Sequence, residues 1–224
     1  MSGPQTPKES RRKFITRIML PLTGLIVPAD SFLFKFFLWA KEKRRLLAPG
    51  TPRESLVNEN PKAVDARNLP LTPLTDFGIM GLSDHTVDLS KWSLELSGQV
   101  RHPLRLSYNQ LLELPSVERK VLLICPGFFV NQGLWKGVSI RRLLERAGSK
   151  PRLTHVTVQG PEGDYEKTER FPLADILSDQ VFLAYQVNGV ALPPKHGFPL
   201  RLVAEDYYGS VWVKYVSTVT FEKV

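Results

Sequence analysis

Residues 121–127 read Val-Leu-Leu-Ile-Cys-Pro-Gly, an apolar run that ends in a cysteine and two turn-forming residues. Four consecutive aliphatic side chains are typical of a strand that is buried on both faces. Proline lacks the N–H that a strand ladder needs, and glycine tolerates tight turns. We therefore expect Cys125 to lie at the end of a buried strand, beside a turn.

The rest of the chain repeats this pattern of short strands with a few short helices. Alternating or continuous apolar patterns predict further strands at 92–100, 154–159, 165–171, 181–187, 200–204 and 211–221. Capping residues and apolar stripes predict helices at 108–114, 139–147 and 172–177. These elements indicate an α+β fold that is mainly β.

The composition suits one packed domain with appendages, since 42% of the 224 residues are hydrophobic and 23% are charged. The net charge of +8 raises nucleic acid as a partner. However, basic residues concentrate in 11–17 and 41–45, outside the predicted core. We therefore expect no nucleic-acid binding, which would require these clusters to belong to the mature core.

The chain contains a single cysteine, Cys125. One thiol excludes an intramolecular disulfide, a four-cysteine iron–sulfur cluster, a cysteine-rich zinc site and a c-type haem attachment. Any redox chemistry must therefore combine this thiol with a bound cofactor. Taken alone, a cysteine behind an apolar strand is most often an inert buried side chain.

The N-terminal segment resembles a twin-arginine export signal. Residues 10–15 read Ser-Arg-Arg-Lys-Phe-Ile, and the uncharged run 18–29 is shorter than the roughly 20 apolar residues that span a bilayer. Cleavage after Ala29 would release a periplasmic protein that the twin-arginine machinery exports in folded form. The alternative is an ordinary basic amphipathic N-terminus.

An aromatic stretch at 32–39 is followed by the basic residues of 41–45. Such a combination suits an interfacial helix that lies on anionic headgroups. The same aromatic face could equally pack on the globular core. Both interpretations remain open, and the interfacial helix would hold the protein at a membrane or against a membrane subunit.

Several motifs follow the cysteine along the chain. Cys125 is followed by Gly127, then by Trp-Lys-Gly-Val at 135–138, and later by Leu-Pro-Pro-Lys-His-Gly-Phe-Pro-Leu-Arg-Leu-Val at 192–203. This ordered set resembles the molybdopterin-binding domain shared by sulfite oxidases and the periplasmic methionine sulfoxide reductase. The resemblance covers roughly residues 69–224.

The resemblance implies a sulfite-oxidase-like fold and a molybdenum–molybdopterin cofactor whose metal binds the Cys125 thiolate. A thiolate is a soft donor that suits such a metal. The family holds the cofactor through side chains and backbone groups that correspond here to Gly160, His196, Arg201, Trp212, Val213 and Lys214.

The implied basic residues have complementary chemistry. Arg201 can offer a bidentate fork to the cofactor's phosphate, and Lys214 can offer a point charge. As isolated residues, both would ordinarily be exposed surface charges, and His196 would face solvent or contact the cofactor about equally well.

The implied domain organisation has four parts: a signal segment (1–29), a basic aromatic segment (30–48), an extended arm (49–91) and a catalytic domain (92–224). The sequence ends where the sulfite oxidases continue into an immunoglobulin-like dimerisation domain, which implies a monomeric catalytic unit.

The sequence departs from the sulfite oxidases in two places. Residues 126–130 carry no cation, whereas the oxidases place an arginine-bearing stretch after their cysteine. Residues 77–81 match the family's arm segment poorly, and His85 is the remaining candidate contact in the arm. Sulfite binding would then need a cation from elsewhere, such as Lys136 or Lys195.

The sequence therefore predicts a molybdenum-dependent oxidoreductase that transfers two electrons or an oxygen atom. We expect reduction of a neutral S- or N-oxide against Phe128 and Phe129. A membrane cytochrome or a small periplasmic carrier would supply the electrons. The alternative is a non-catalytic, membrane-associated interaction subunit that retains the fold but binds no metal.

Overall fold

The computed structural model describes residues 44–163 and 167–223 of the chain. The predicted twin-arginine signal and most of the basic aromatic segment lie outside the described residues. None of the helices in the described part is long and apolar enough to cross a membrane.

The described chain is mainly strands, with short helices between them. In order, the elements are β1 (Arg45–Leu46), β2 (Val64–Asp65), β3 (Leu94–Gly98), β4 (Leu104–Leu106), α1 (Tyr108–Leu112), β5 (Ser116–Cys125), β6 (Phe129–Val138), α2 (Ile140–Ala147), β7 (His155–Gln159), β8 (Thr168–Pro172), α3 (Leu173–Leu177), β9 (Val181–Val187), β10 (Val190–Ala191), β11 (Arg201–Ala204) and β12 (Thr218–Glu222). Short 3-10 turns occur at Arg53–Leu56, Pro61–Ala63, Leu74–Asp76, Pro194–His196 and Gly209–Val211.

Two five-stranded sheets form the body of the fold. One has the order β10-β9-β6-β5, with β11 also paired to β9, and the other has the order β4-β3-β12-β7-β8. Their pairings are antiparallel except for β3 and β12, which run parallel. The predicted α+β, mainly β fold is confirmed.

The predicted helices are present, with the expected caps. Ser107 and Gln110 form a capping box at the start of α1. Ser139 caps α2, which ends at Gly148 with a positive φ of 69°. These local signals are reliable because each is satisfied within a few residues of its own position.

The strand predictions miss β6 and the short strands β1, β2, β4 and β10, and they place the start of β12 too early. Strand β6 was not predicted, because its Asn131 and Gln132 interrupt any apolar pattern although both are buried. The strand predicted at 211–221 is wrong in its first half: that segment is irregular after the 3-10 turn, and β12 begins only at Thr218. A positive φ of 54° at Tyr215 breaks the extended path.

The arm packs against the outside of the β5–β6 hairpin. Its buried residues Leu56, Val64 and Leu69 form a separate cluster with Leu47, just before the arm, and with Leu122, Ile124 and Val130. The second half of β5, residues 121–125, is thereby buried, as its continuous apolar run predicts. The predicted boundaries of the arm at residues 49 and 91 stay predictions.

Candidate active site

A cavity of about 490 Å³ opens at the end of β5. One cysteine, Cys125, lines it together with three basic side chains, those of Lys167, Arg201 and Lys214. No Asp or Glu is among the described residues of its wall. The cavity is therefore a cationic space with one thiol in its wall.

Cys125 lies where the sequence predicts it, at the last position of β5 and opposite Phe129 in the hairpin. Only 8% of the residue is exposed. Burial raises the pKa of the thiol, while Lys167 and, to a lesser extent, Arg201 oppose the rise. The cysteine is thus shielded from bulk water but has cations nearby that favour its thiolate.

The backbone comes close to Cys125 at Gly209, in the 3-10 turn Gly209–Val211. A Cβ atom at residue 209 would lie 2.8 Å from Cδ1 of Leu123 and 3.7 Å from Cβ of Cys125. A larger residue would push the turn away from the end of β5. Glycine at this position therefore sets the distance between the turn and the thiol.

Arg201 is a buried cation on β11. Its Nη1 donates a hydrogen bond to the carbonyl of His196 at 3.0 Å, and its Nε is buried without a hydrogen-bond partner. The guanidinium carbon lies 5.6 Å from the ring centroid of Trp135 and 5.4 Å from that of Trp212.

The charge of Arg201 is poorly compensated by the protein. It forms no ion pair with any carboxylate in the described part of the chain. Burial lowers its pKa to about 10, although Tyr215 and Cys125 oppose that effect. A cation held in this way has hydrogen-bond donors available for an anion in the cavity.

Lys214 approaches the same cavity from the segment that precedes β12. Its Nζ donates hydrogen bonds to the carbonyls of Leu82 at 2.7 Å and Lys195 at 3.0 Å. Burial, followed by the positive charges of Arg201 and Lys167, lowers its pKa to about 8. Lys214 is thus a partly buried lysine with two fixed hydrogen bonds, in contrast to the alternative of an ordinary exposed surface charge.

Lys167 was not predicted as a site residue. It precedes β8, and its Nζ donates hydrogen bonds to the carbonyls of Ser210 and Trp212. In sequence it is one charged residue in a strand-like stretch, and none of the motifs behind the family resemblance contains it. Only the pairing of β7 with β8 brings it to the cavity.

Other predicted site residues surround the cavity wall without forming it. His196 is 2% exposed, and its ring packs edge-on against Phe77 at 5.6 Å, so the solvent-facing interpretation is wrong. Burial, followed by Arg201 and neighbouring lysines, lowers its pKa to about 4 and keeps the ring neutral at pH 7. Its contribution to the site is the carbonyl that positions Arg201.

Two of the three backbone positions predicted to contact the cofactor, Val213 and Gly160, hold the cationic segments in place. The carbonyl of Val213 accepts a hydrogen bond from the N–H of Leu202 at 2.8 Å, which ties the Lys214 segment to β11. The N–H of Gly160 donates to the carbonyl of Lys167 at 2.9 Å. Trp212, by contrast, lines the cavity itself, while its Nε1 donates to the carbonyl of Ala204 at 3.0 Å.

The arm supplies part of the wall despite its poor match to the family. Gly78, Met80, Gly81 and Leu82 line the cavity. Gly78 is required there, because a Cβ atom at that position would lie 2.1 Å from Cγ of the Phe129 ring. The preceding arm residue, Phe77, is buried in the main hydrophobic core instead.

His85 and Tyr215 lie together beside this wall. The His85 ring stacks edge-on against Tyr215 at 5.0 Å and is not one of the described lining residues. Tyr215 does line the cavity, and its hydroxyl is buried without a hydrogen-bond partner. Tyr215 was not predicted as a site residue, and its positive φ of 54° falls in a segment that was predicted as a regular strand.

The mouth of the cavity is aromatic. Phe128 and Phe129 both line it, and Phe128 is 71% exposed at the tip of the β5–β6 hairpin. Residues 126–130 carry no cation, as the sequence shows, but Lys167, Arg201 and Lys214 bring positive charge to the cavity from other elements. The two lysines named as alternative sources, Lys136 and Lys195, are not among the described lining residues.

This combination fits an anionic cofactor that is anchored by a thiolate. The single thiol supplies one soft metal ligand, and the uncompensated Arg201 requires a negative partner. Within the described residues, no three His, Cys, Asp or Glu side chains converge to hold a metal ion. The donor set therefore suits a metal whose other ligands come from the cofactor.

Comparisons with known proteins agree with this interpretation. Residues 81–224 match the model of the oxidoreductase molybdopterin binding domain. The chain is 34% identical over 152 residues to Uncharacterized oxidoreductase YuiH of Bacillus subtilis, which covers 66% of this chain and 75% of that protein. It is 30% identical over 158 residues to the NADH nitrate reductase of Lotus japonicus, covering 57% and 18% of the two chains.

A solved structure shows the same fold. The sulfane dehydrogenase SoxCD from Paracoccus pantotrophus superposes with a TM-score of 0.59 and 25% identity, covering 62% of this chain and 40% of that chain. The present chain thus spans less than half of SoxCD and about a fifth of the plant nitrate reductases.

Proposed function

Because the chain belongs to the oxidoreductase molybdopterin-binding family, we propose that Cys125, Arg201 and Lys214 hold the molybdenum–molybdopterin cofactor of an exported oxidoreductase. Family membership makes the protein a molybdopterin-dependent enzyme rather than a non-catalytic interaction subunit. The observation that carries the proposal is the cavity that joins the only thiol of the chain to three basic side chains.

The thiol and the basic side chains of the cavity have different chemical roles. Cys125 provides the thiolate for the metal, and the apolar strand behind it limits access of competing water. Arg201 and Lys214 provide a fork and a point charge for the phosphate. When bound, the cofactor supplies two-electron or oxygen-atom transfer, whereas the protein positions it and shields it from solvent.

The positive charge of the cavity is accounted for by the cofactor itself. A phosphate, a dithiolene and the Cys125 thiolate bring several negative charges to a space lined by three cations. Buried charges of opposite sign stabilise one another only as pairs. After cofactor binding, little net positive charge remains to attract an anionic substrate.

We therefore propose that the substrate is a neutral S- or N-oxide. Such a molecule loses little hydration on entering the cavity, and Phe128 and Phe129 offer it an apolar surface. The overall reaction consumes the oxide, two protons and two electrons, and it releases the sulfide or amine and one water molecule. The oxide is reduced, and the electron carrier is oxidised.

Steady-state kinetics with an artificial electron donor test this substrate. We expect turnover of methionine sulfoxide or trimethylamine N-oxide and negligible oxidation of sulfite. Phe128→Ala should raise KM for the oxide. Leu177→Ala should not, because it removes an exposed apolar side chain that does not line the cavity. Efficient sulfite oxidation at physiological salt would contradict the proposal of a neutral substrate.

We also propose that the protein acts in the periplasm. The support is the twin-arginine-like stretch at 10–15 with its uncharged run at 18–29. Replacing Arg11 and Arg12 by lysine should retain the protein in the cytoplasm of its native host, as fractionation and immunoblotting would show. Unchanged export of that variant would contradict the twin-arginine route.

The electrons would come from a membrane cytochrome or a small periplasmic carrier. With one cysteine, the chain has no iron–sulfur cluster or c-type haem of its own to store them. Membranes of the native host should therefore support oxide reduction by the purified enzyme when a respiratory donor is added. Failure of every membrane and periplasmic fraction to do so would contradict this partner.

A further inference from the structure

We propose that Lys167 is a third cofactor-binding cation, which compensates the negative charge of the sulfur ligands around the metal. This inference rests on the proposed function, since it assumes that Cys125 binds the metal. It adds a residue for which neither the sequence motifs nor the family resemblance provides a role.

The position of Lys167 supports this role. Its Nζ is held by the carbonyls of Ser210 and Trp212, the latter at 3.1 Å, on the turn that passes closest to Cys125 through Gly209. Lys167 and Cys125 both line the cavity. The ammonium group is therefore fixed by the turn that approaches Cys125, rather than free on the surface.

The charges around Lys167 point the same way. The only carboxylate that pairs with it within the described chain is that of Glu169, at 3.9 Å, and Glu169 does not line the cavity. The protein therefore compensates this ammonium group only weakly, and the group can pair with an anion in the cavity.

The charge that the cofactor brings explains why a third cation is needed. We assign the phosphate to Arg201 and Lys214, while a thiolate and two dithiolene sulfurs bring further negative charge to the cavity. Uncompensated negative charge in a buried site is costly, so a cation fixed there strengthens cofactor binding. A nearby positive charge also favours the more electron-rich state of the metal and so raises its reduction potential.

Three single variants of the full chain, purified from the native host, test the assignment. Lys167→Met removes the charge, Lys167→Arg keeps it, and Glu169→Gln removes the opposing charge without altering the cavity wall. The readouts are molybdenum by mass spectrometry, pterin by fluorescence after oxidation, and the midpoint potential of the bound molybdenum. Circular dichroism and thermal unfolding verify that each variant is folded.

We expect Lys167→Met to lose cofactor and to shift the potential of the remaining metal to more negative values. Lys167→Arg should restore both, and Glu169→Gln should shift the potential in the positive direction. An unchanged potential in Lys167→Met, or an equal loss in Lys167→Arg, would overturn the assignment, because the ammonium would then serve only to hold the turn. Absence of molybdenum from the unaltered protein would instead contradict the proposed function.

Discussion

The guanidinium group of Arg201 lies over the ring of Trp212, with 5.4 Å between the guanidinium carbon and the ring centroid. Eleven residues apart in sequence, the two side chains meet because the chain after β11 turns back on itself through Gly209–Val211. The indole face stabilises the buried cation, but it accepts no hydrogen bond from the guanidinium N–H groups. Arg201 therefore remains available to bind an anion.

Arg201→Met should separate binding from stability. Without an anion, the buried charge destabilises the fold, and an apolar side chain of similar length should raise the melting temperature of the cofactor-free protein. Molybdenum content should fall, because each charge-assisted hydrogen bond contributes about 1.5–3 kcal/mol. Thermal unfolding and elemental analysis measure the two effects.

Lys214→Met serves as the comparison for Arg201→Met. We expect a smaller loss of molybdenum from it, since one point charge disappears rather than a fork. Normal cofactor content in a protein that carries both substitutions would show that neither residue holds the phosphate.

Cofactor retention should depend on pH through Lys214. Its pKa in the cofactor-free protein is lowered to about 8, and only the protonated ammonium attracts the phosphate. Affinity contributed by this residue should therefore be present below pH 8 and decrease as the pH rises further. Lys214→Arg should remove that decrease, and equilibrium dialysis between pH 7 and 9 compares the two proteins. Cys125 titrates in both, so identical profiles would exclude the lysine as the cause.

His196 should make the protein sensitive to mild acid. Its pKa is lowered to about 4 in the fold, below the unfolded value of 6.5, so the unfolded state binds more protons between these limits. Stability should be fully present above pH 6.5 and decrease toward pH 4, by at most about 3 kcal/mol. His196→Gln should flatten this dependence in urea unfolding at pH 5 and 7. A slope equal to that of the unaltered protein would assign the sensitivity to other groups.

Gly209→Ala should damage the site through the backbone. The added methyl group would lie 2.8 Å from Leu123 and 3.3 Å from the carbonyl of Ile124, so the turn must move away from Cys125. Overpacking of this kind typically costs about 1–3 kcal/mol. We expect lower thermal stability and lower molybdenum content. Gly50→Ala is the matched control, since a methyl group there meets nothing within 4 Å.

Local signals in the sequence were sufficient for the caps of α1 and α2 and for the position of Cys125. Each depends on interactions within a few residues, such as the bond between Ser107 and Gln110. The β6 strand was not predicted because its buried polar residues Asn131 and Gln132 form their hydrogen bonds with partners that are distant in sequence. Gln132, for example, binds Thr72 and Ala66 of the arm.

The same distinction between local signals and long-range contacts applies to the residues of the site. The family resemblance identified Cys125, Arg201 and Lys214 because these residues belong to recognisable sequence motifs. The fold brings all three to one cavity. Lys167 belongs to none of these motifs and reaches the cavity only through the pairing of β7 with β8. The burial of Arg201 between two tryptophan rings likewise depends on tertiary contacts that no local pattern encodes.

The metal content of the protein and of its Cys125→Ser variant tests the central claim most directly. Purified from its native host, the unaltered protein should contain about one molybdenum atom per chain, held by one protein thiolate. The variant should keep its fold but lose activity, because a serine hydroxyl is a harder and far less acidic ligand. Absence of molybdenum from the unaltered protein, or full activity in the variant, would contradict the account.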